Sequence, residues 1–197
     1  MRSVVPGTLG RAVRLVGLLN LAYFGVEFAV ALSIGSVSLF ADSVDFLEDA
    51  SINFLILFAL TWHATARARV GMLLAAILMV PALATLLMAW HKFALPYPPA
   101  VVPLSLTALG ALAVNLSCAV ILARFRSHGG SLSRAAFLSA RNDALANIAI
   151  VAAAGVTALF PSAWPDLIVG LGIAGLNADA ARTVYAAARS EHAASRA

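Results

Sequence analysis

Ser38, Asp42, Asp45, Asp49 and Asn53 follow one another at steps of four, three, four and four. In a helix, that spacing projects all five from one face. Glu48 sits beside that face. Ser139, Asp143 and Asn147 repeat the pattern at steps of four, with Asn142 flanking it, and Asn20 and Glu27, seven apart, share a face of an earlier segment. Rows of carboxylates and amides offer hard oxygen donors. They suit a divalent cation, a chain of proton-exchanging groups, or magnesium held against a diphosphate. Which chemistry applies depends on the medium around them.

That medium is a lipid bilayer. Of the 197 residues, 62% are hydrophobic and only 11% are charged, with a mean hydropathy of +0.94. A soluble chain of this length would expose large apolar patches. A lipid-facing surface removes the difficulty, because helices satisfy their own backbone hydrogen bonds in hydrocarbon. Spans of about 20 residues fit at 14–35, 38–62, 70–91, 101–123, 134–160 and 165–188. The predicted fold is all-α, a polytopic six-helix transmembrane bundle. Residues 1–13 form an N-terminal segment, 14–188 the membrane domain and 189–197 a short tail. Turns fall at Ile34–Ser36, His63–Arg69, Lys92–Ala100 with its three prolines, Arg124–Ser133, and Pro161–Pro165. Pro81 is expected to kink the third span. Arg2, Arg11 and Arg14 before an apolar run imitate a signal peptide. The run from Leu15 to Ile34 is long for one, so it reads as the first span. The single cysteine, Cys118, excludes an intramolecular disulfide and a cysteine metal cluster.

Basic residues orient the bundle. Eleven of the thirteen fall on the side of the N-terminus, the second and fourth loops and the tail; Lys92 is opposite and Arg141 lies within a span. The positive-inside rule makes the rich side cytoplasmic, with both termini there. A wrong number of spans would mix the two groups. Trp62, Trp90 and Trp164 fall at span ends, where an aromatic belt belongs. The net charge of +4 is therefore a matter of topology, and no nucleic-acid partner is expected.

Glu27, Asp42, Asp45, Glu48, Asp49 and Asp143 all fall within predicted spans. Each is costly there, by roughly 2.5–3.5 kcal/mol on insertion scales. One isolated polar residue would read as glue between helices, but several carboxylates on one helix face read as function. At about 1.5 Å per residue, Asp45 and Asp49 lie about 12 and 18 Å from the outer side and Asp143 about 13 Å from the inner side. In a core about 30 Å thick, all three approach the midplane. If the second and fifth helices pack together, three carboxylates converge. A divalent cation would relieve their repulsion, and protons could take its place, as an ion-coupled transporter requires. Arg141 projects roughly opposite Asp143, to snorkel toward the cytoplasm or to pair with a carboxylate. His63, His91, His128 and His192 lie at span ends, in loops or in the tail, and read as solvated.

The stretch from Gly35 to Asp49, GSVSLFADSVDFLED, resembles the second-helix signature of the cation diffusion facilitators, in which a small-residue turn and an Ala-Asp pair precede two metal ligands four apart. Asn20, Glu27, Asn115, Asp143 and Trp164-Pro165-Asp166 are also similar to family positions, and the resemblance covers about residues 10 to 188. It implies a secondary transporter that exports a divalent transition-metal cation (Zn, Mn, Fe or Co) in exchange for protons, with no resident cofactor. Asp45, Asp49 and Asp143 would bind the ion. Glu27, Asp42, Glu48 and Asn20 are candidate proton or pathway residues. The expected location is the bacterial inner (plasma) membrane.

Two departures stand out. Where the family often has His or Asp, this chain has Ser139. The site would then comprise three carboxylates and a weak oxygen ligand from Ser139, Asn142 or water, a donor set that favours harder ions such as Mn²⁺ or Fe²⁺ over imidazole-loving Zn²⁺. Family members usually carry a cytoplasmic C-terminal domain that senses metal and aids dimerisation. The residues after 188 are too few for one, which leaves a homodimer an open expectation. Two other readings compete: a non-transporting membrane subunit or degenerate paralogue, and a magnesium-dependent prenyltransferase-like enzyme. The second is suggested by the D-x-x-D-x-x-x-D run but lacks a second aspartate-rich motif. A transporter, not an enzyme, is the expectation.

Overall fold

The computed structural model describes residues 6–59, 83–124 and 130–178, excluding the side chains of 6–8, 56, 58, 59 and 130–139. Among the described residues there are six helices and no strand: α1 Pro6–Ile34, α2 Val37–Ala59, α3 over 83–94, α4 Val101–Ala123, α5 Gly130–Leu159 and α6 over 164–178. The all-α expectation holds. The α4 bounds coincide with the expected span. α1 starts earlier than expected, at Pro6, because a proline at the first helical position loses no hydrogen bond and arrives with helical φ. α3 runs to residue 94, past the predicted end at 91, and so carries Lys92 inside a helix. Pro81, Trp62, His63, His128, His192, the second loop and the tail lie outside the described residues.

By length and composition, α1, α4 and α5 are apolar enough to cross a membrane. Leu87, Leu106 and Leu176 are 71%, 66% and 71% exposed, the outward apolar surface that hydrocarbon covers. The chain is an integral membrane protein. α2 is about 34 Å long at 1.5 Å per residue, and its apolar character is interrupted by Asp42, Asp45, Glu48 and Asp49.

α1 packs along α2 and α4 along α5, and α1 on α4 and α2 on α5 join the two pairs. The central core is built largely of small residues: Ala31, Ala41, Ala108, Ala154 and Ala174 beside Leu39, Phe40, Leu104, Ile150 and Ile173. Small side chains let helices approach closely where lipid removes the hydrophobic drive to associate. Gly170 on α6 is the extreme case. A Cβ there would lie 2.7 Å from the Ser38 nitrogen and the Val37 carbonyl carbon.

One end of the bundle is bound by polar groups. Gly35 makes the α1–α2 turn at φ 62°, a left-handed conformation that glycine adopts freely. Ser36 caps α2, its Oγ accepting from the Leu39 N–H at 3.2 Å. The Asp166 carboxylate, reaching over from α6, accepts from the Val37 N–H at 2.9 Å and the Ser38 N–H at 3.2 Å. It also accepts from the hydroxyls of Ser36 and Ser38, each at 2.6 Å. Lys92 Nζ, on α3, donates to Asp166 Oδ2 at 2.7 Å and to the Gly35 carbonyl at 2.6 Å, over the Tyr97 ring. Lys92 and Asp166 are both buried. One carboxylate thus ties α2, α3 and α6 together and supplies the negative charge that a helix N-terminus favours. Trp90 and Trp164 sit at this end, each packed on Phe93. Arg11, Arg14 and Arg124 lie at the opposite end and are exposed.

Candidate metal centre

The packing of α2 on α5 brings their polar faces together. Asp143 lies within side-chain hydrogen-bonding reach of Asp49, and its charge bears directly on Asp45. Asp45, Asp49 and Asp143 are all half-buried, whereas Asp42 and Asn147, one turn further toward the Lys92 end, are fully buried. Glu48 is buried beside Asp49. Among the described residues, no three His, Cys, Asp or Glu side chains are gathered closely enough to hold a metal ion as they stand.

Amides position the carboxylates. Asn20 on α1 donates from Nδ2 to Asp49 Oδ2 at 3.4 Å. Its Oδ1 accepts from the Cys118 thiol of α4 at 3.5 Å. Asn53 donates to the Asp49 backbone carbonyl at 2.7 Å. On the buried side, Asn115 of α4 donates to Asn147 Oδ1 at 3.2 Å, and Asn147 donates through Nδ2 to Asp42 Oδ2. Asp42 also faces Glu27 of α1. Helices α1, α2, α4 and α5 therefore all contribute to one polar interior, as intramembrane ionisable groups require.

Asn142 is exposed, and its Oδ1 accepts from Arg141 Nη2 at 3.4 Å. The structure therefore does not bring Asn142 to the carboxylates, and Arg141 turns away from them. Ser139 lies on α5, one turn before Asp143, with its side chain outside the described residues. Sequence reasoning placed Cys118 in an apolar run and marked Asn115 only by its similarity to a family position, giving neither a contact in the site. Their participation depends on the rotation of α4 about its axis, which a sequence with little polar patterning does not reveal. Lys92 was read as a loop residue. The signal that it has a structural task was its being the only lysine beside twelve arginines.

The family model for the cation efflux transmembrane domain matches residues 13–190. No curated protein matches the chain.

Proposed function

The chain belongs to the cation efflux family, and from that premise we propose that it exports a divalent transition-metal cation of the Zn, Mn, Fe or Co class from the cytoplasm in exchange for protons. The observation that carries this reading is the meeting of Asp45 and Asp49 of α2 with Asp143 of α5 inside an apolar bundle. Three carboxylates carry one more negative charge than a divalent cation neutralises, so protons and the ion compete for the same oxygens. Loading requires the three side chains to close on the ion, with Ser139, Asn142 or a water completing the shell. Asn142 would have to leave Arg141 to take part. An all-oxygen shell favours Mn²⁺ or Fe²⁺, although zinc also accepts carboxylates.

Access follows the same axis. The three carboxylates keep partial exposure, while the Lys92 end is closed by the Asp166 network and by the buried Asp42, Glu27 and Asn147. This supports a state sealed at the end away from the arginines, one half of an alternating-access cycle. The arginine-rich end faces the cytoplasm with both termini, in a bacterial inner membrane.

Equilibrium metal binding to purified protein tests the site. Mn²⁺ is titrated against a competing fluorescent chelator, with wild type compared to Asp49→Ala and Asp143→Ala. The expected result is saturable binding that each variant weakens at least tenfold while remaining folded. Undiminished binding by both variants would remove the assignment.

A further inference from the structure

Glu27 sits two turns before the C-terminal end of α1 with no exposure, and among the described residues neither of its carboxylate oxygens has a hydrogen-bond donor. What stands opposite it is a second carboxylate, Asp42, also without exposure. Asp42 Oδ2 accepts from Asn147, but Oδ1 has no donor. Two buried acceptors thus face each other with three oxygens unsatisfied among the described residues. A buried acceptor without a donor is expensive, and two unpaired buried charges far more so.

Among the described residues, no neighbouring group relieves this arrangement. Tyr23, a titratable side chain that feels both carboxylates, spends its hydroxyl proton on the Thr107 carbonyl at 2.6 Å. Lys92 is committed to Asp166 and Gly35. The other titratable groups bearing on the pair are Asp45 on Glu27 and Asp42, and Asp143 on Asp42, all carboxylates. A single proton between Glu27 and Asp42 resolves the conflict. It makes one carboxyl the donor that the other lacks and halves the charge. It also completes a chain of hydrogen bonds from Asn115 through Asn147 and Asp42 to Glu27.

We propose that Glu27 and Asp42 form a proton-binding pair, a site for the exchanged proton one helical turn from the carboxylates that take the cation. The proposal rests on the exchange reading above and adds to it a second site with a different ligand. Asp42 precedes Asp45 by three residues on α2, and Asn147 follows Asp143 by four on α5, so the same two helices carry both layers. A cation seated among Asp45, Asp49 and Asp143 places positive charge beside the pair and favours release of its proton to solvent. By linkage, a proton held by the pair disfavours the cation by the same factor.

The test is infrared difference spectroscopy on the full chain in lipid nanodiscs, joined to flux in liposomes. Metal-free wild type should show carbonyl stretches of protonated carboxyls, sensitive to deuteration, including one band that Glu27→Gln removes and that added Mn²⁺ bleaches. Gln supplies the N–H that Asp42 needs, so this variant keeps the fold, and Asp42→Asn serves as its counterpart from α2. In liposomes, Glu27→Gln should release one proton fewer per Mn²⁺ moved, with a flatter dependence of flux on pH. The same band and the same proton-to-metal ratio in Glu27→Gln as in wild type would overturn the pair. A band that Glu27→Gln removes but Mn²⁺ leaves untouched would overturn it as an exchange site. A wild type that moves no cation, while its band responds to Mn²⁺ and is lost in Glu27→Gln, would instead overturn the transport reading and leave the pair standing.

Discussion

Replacing Lys92 with methionine keeps an unbranched side chain one atom shorter and removes its charge. In the native protein, Nζ is 2.7 Å from Asp166 Oδ2 and 2.6 Å from the Gly35 carbonyl. Removing one partner of a buried ion pair costs about 3–5 kcal/mol, because the other charge stays buried. Asp166 retains four donors, from the hydroxyls of Ser36 and Ser38 and the N–H groups of Val37 and Ser38. They hold the orphaned carboxylate, so Lys92→Met should cost about 3 kcal/mol, the lower end of that range. Asp166→Asn should cost more, nearer 5 kcal/mol. It strands an ammonium whose other neighbours are one carbonyl and the Tyr97 ring, and it weakens the cap on α2. The double variant leaves no charge stranded and should recover about 1–3 kcal/mol relative to the sum of the two single changes. Reversible unfolding in mixed micelles, followed by circular dichroism, measures the cycle. Ser38 and Asp45 are about 10 Å apart along α2 at 1.5 Å per residue, so Mn²⁺ affinity in the folded Lys92→Met variant should stay within about threefold of wild type, as expected for distant sites. A cost below about 1 kcal/mol for either single change, or strict additivity in the double variant, would refute the reasoning from a buried, desolvated pair.

Three further outcomes are expected. Gly170→Ala pushes a methyl group against the Val37–Ser38 backbone at 2.7 Å; overpacking of this kind costs about 1–3 kcal/mol, seen as a lower unfolding midpoint, whereas no change would mean that α6 shifts freely. Asn147→Leu removes the donor to Asp42 and leaves Asn115 without its acceptor; stability should fall by about 1–3 kcal/mol in the same unfolding assay, and wild-type stability would contradict the network. Ser139→His adds an imidazole one turn before Asp143 and should raise the preference for Zn²⁺ over Mn²⁺ at least tenfold in competitive binding; an unchanged preference would place Ser139 away from the ion.

The polar faces of α2 and α5 were legible because carboxylates in an apolar helix are few and their spacing leaves one solution for the face. The bounds of α4 were equally plain, with Pro96, Pro98 and Pro99 before it and Arg124 after it. The partners across helices were not legible. Asn147 shares a face with Asp143 in any helical reading, but its donation to Asp42 depends on the rise of α5 relative to α2. Glu27 shares a face with Asn20, yet one meets Asp42 and the other Asp49, because α1 runs alongside α2 and contacts it at two depths. Lys92 was misjudged for a different reason. The prolines beyond it suggested a loop, and nothing local signals that a helix continues three residues past the expected end and lets Lys92 meet an aspartate 74 positions away.

The central claim is that Asp45, Asp49 and Asp143 form a cation site used in transport. The most direct measurement is metal flux into liposomes that contain the purified protein, a metal-sensitive dye and a pH dye, with Mn²⁺, Fe²⁺, Co²⁺, Zn²⁺ and Mg²⁺ offered in turn. The account predicts that at least one transition-metal ion moves with protons in counterflow, and that Asp49→Ala and Asp143→Ala each reduce that flux at least a hundredfold while inserting normally. Wild-type flux in both variants, or no flux of any of these ions through correctly inserted wild-type protein, would contradict it.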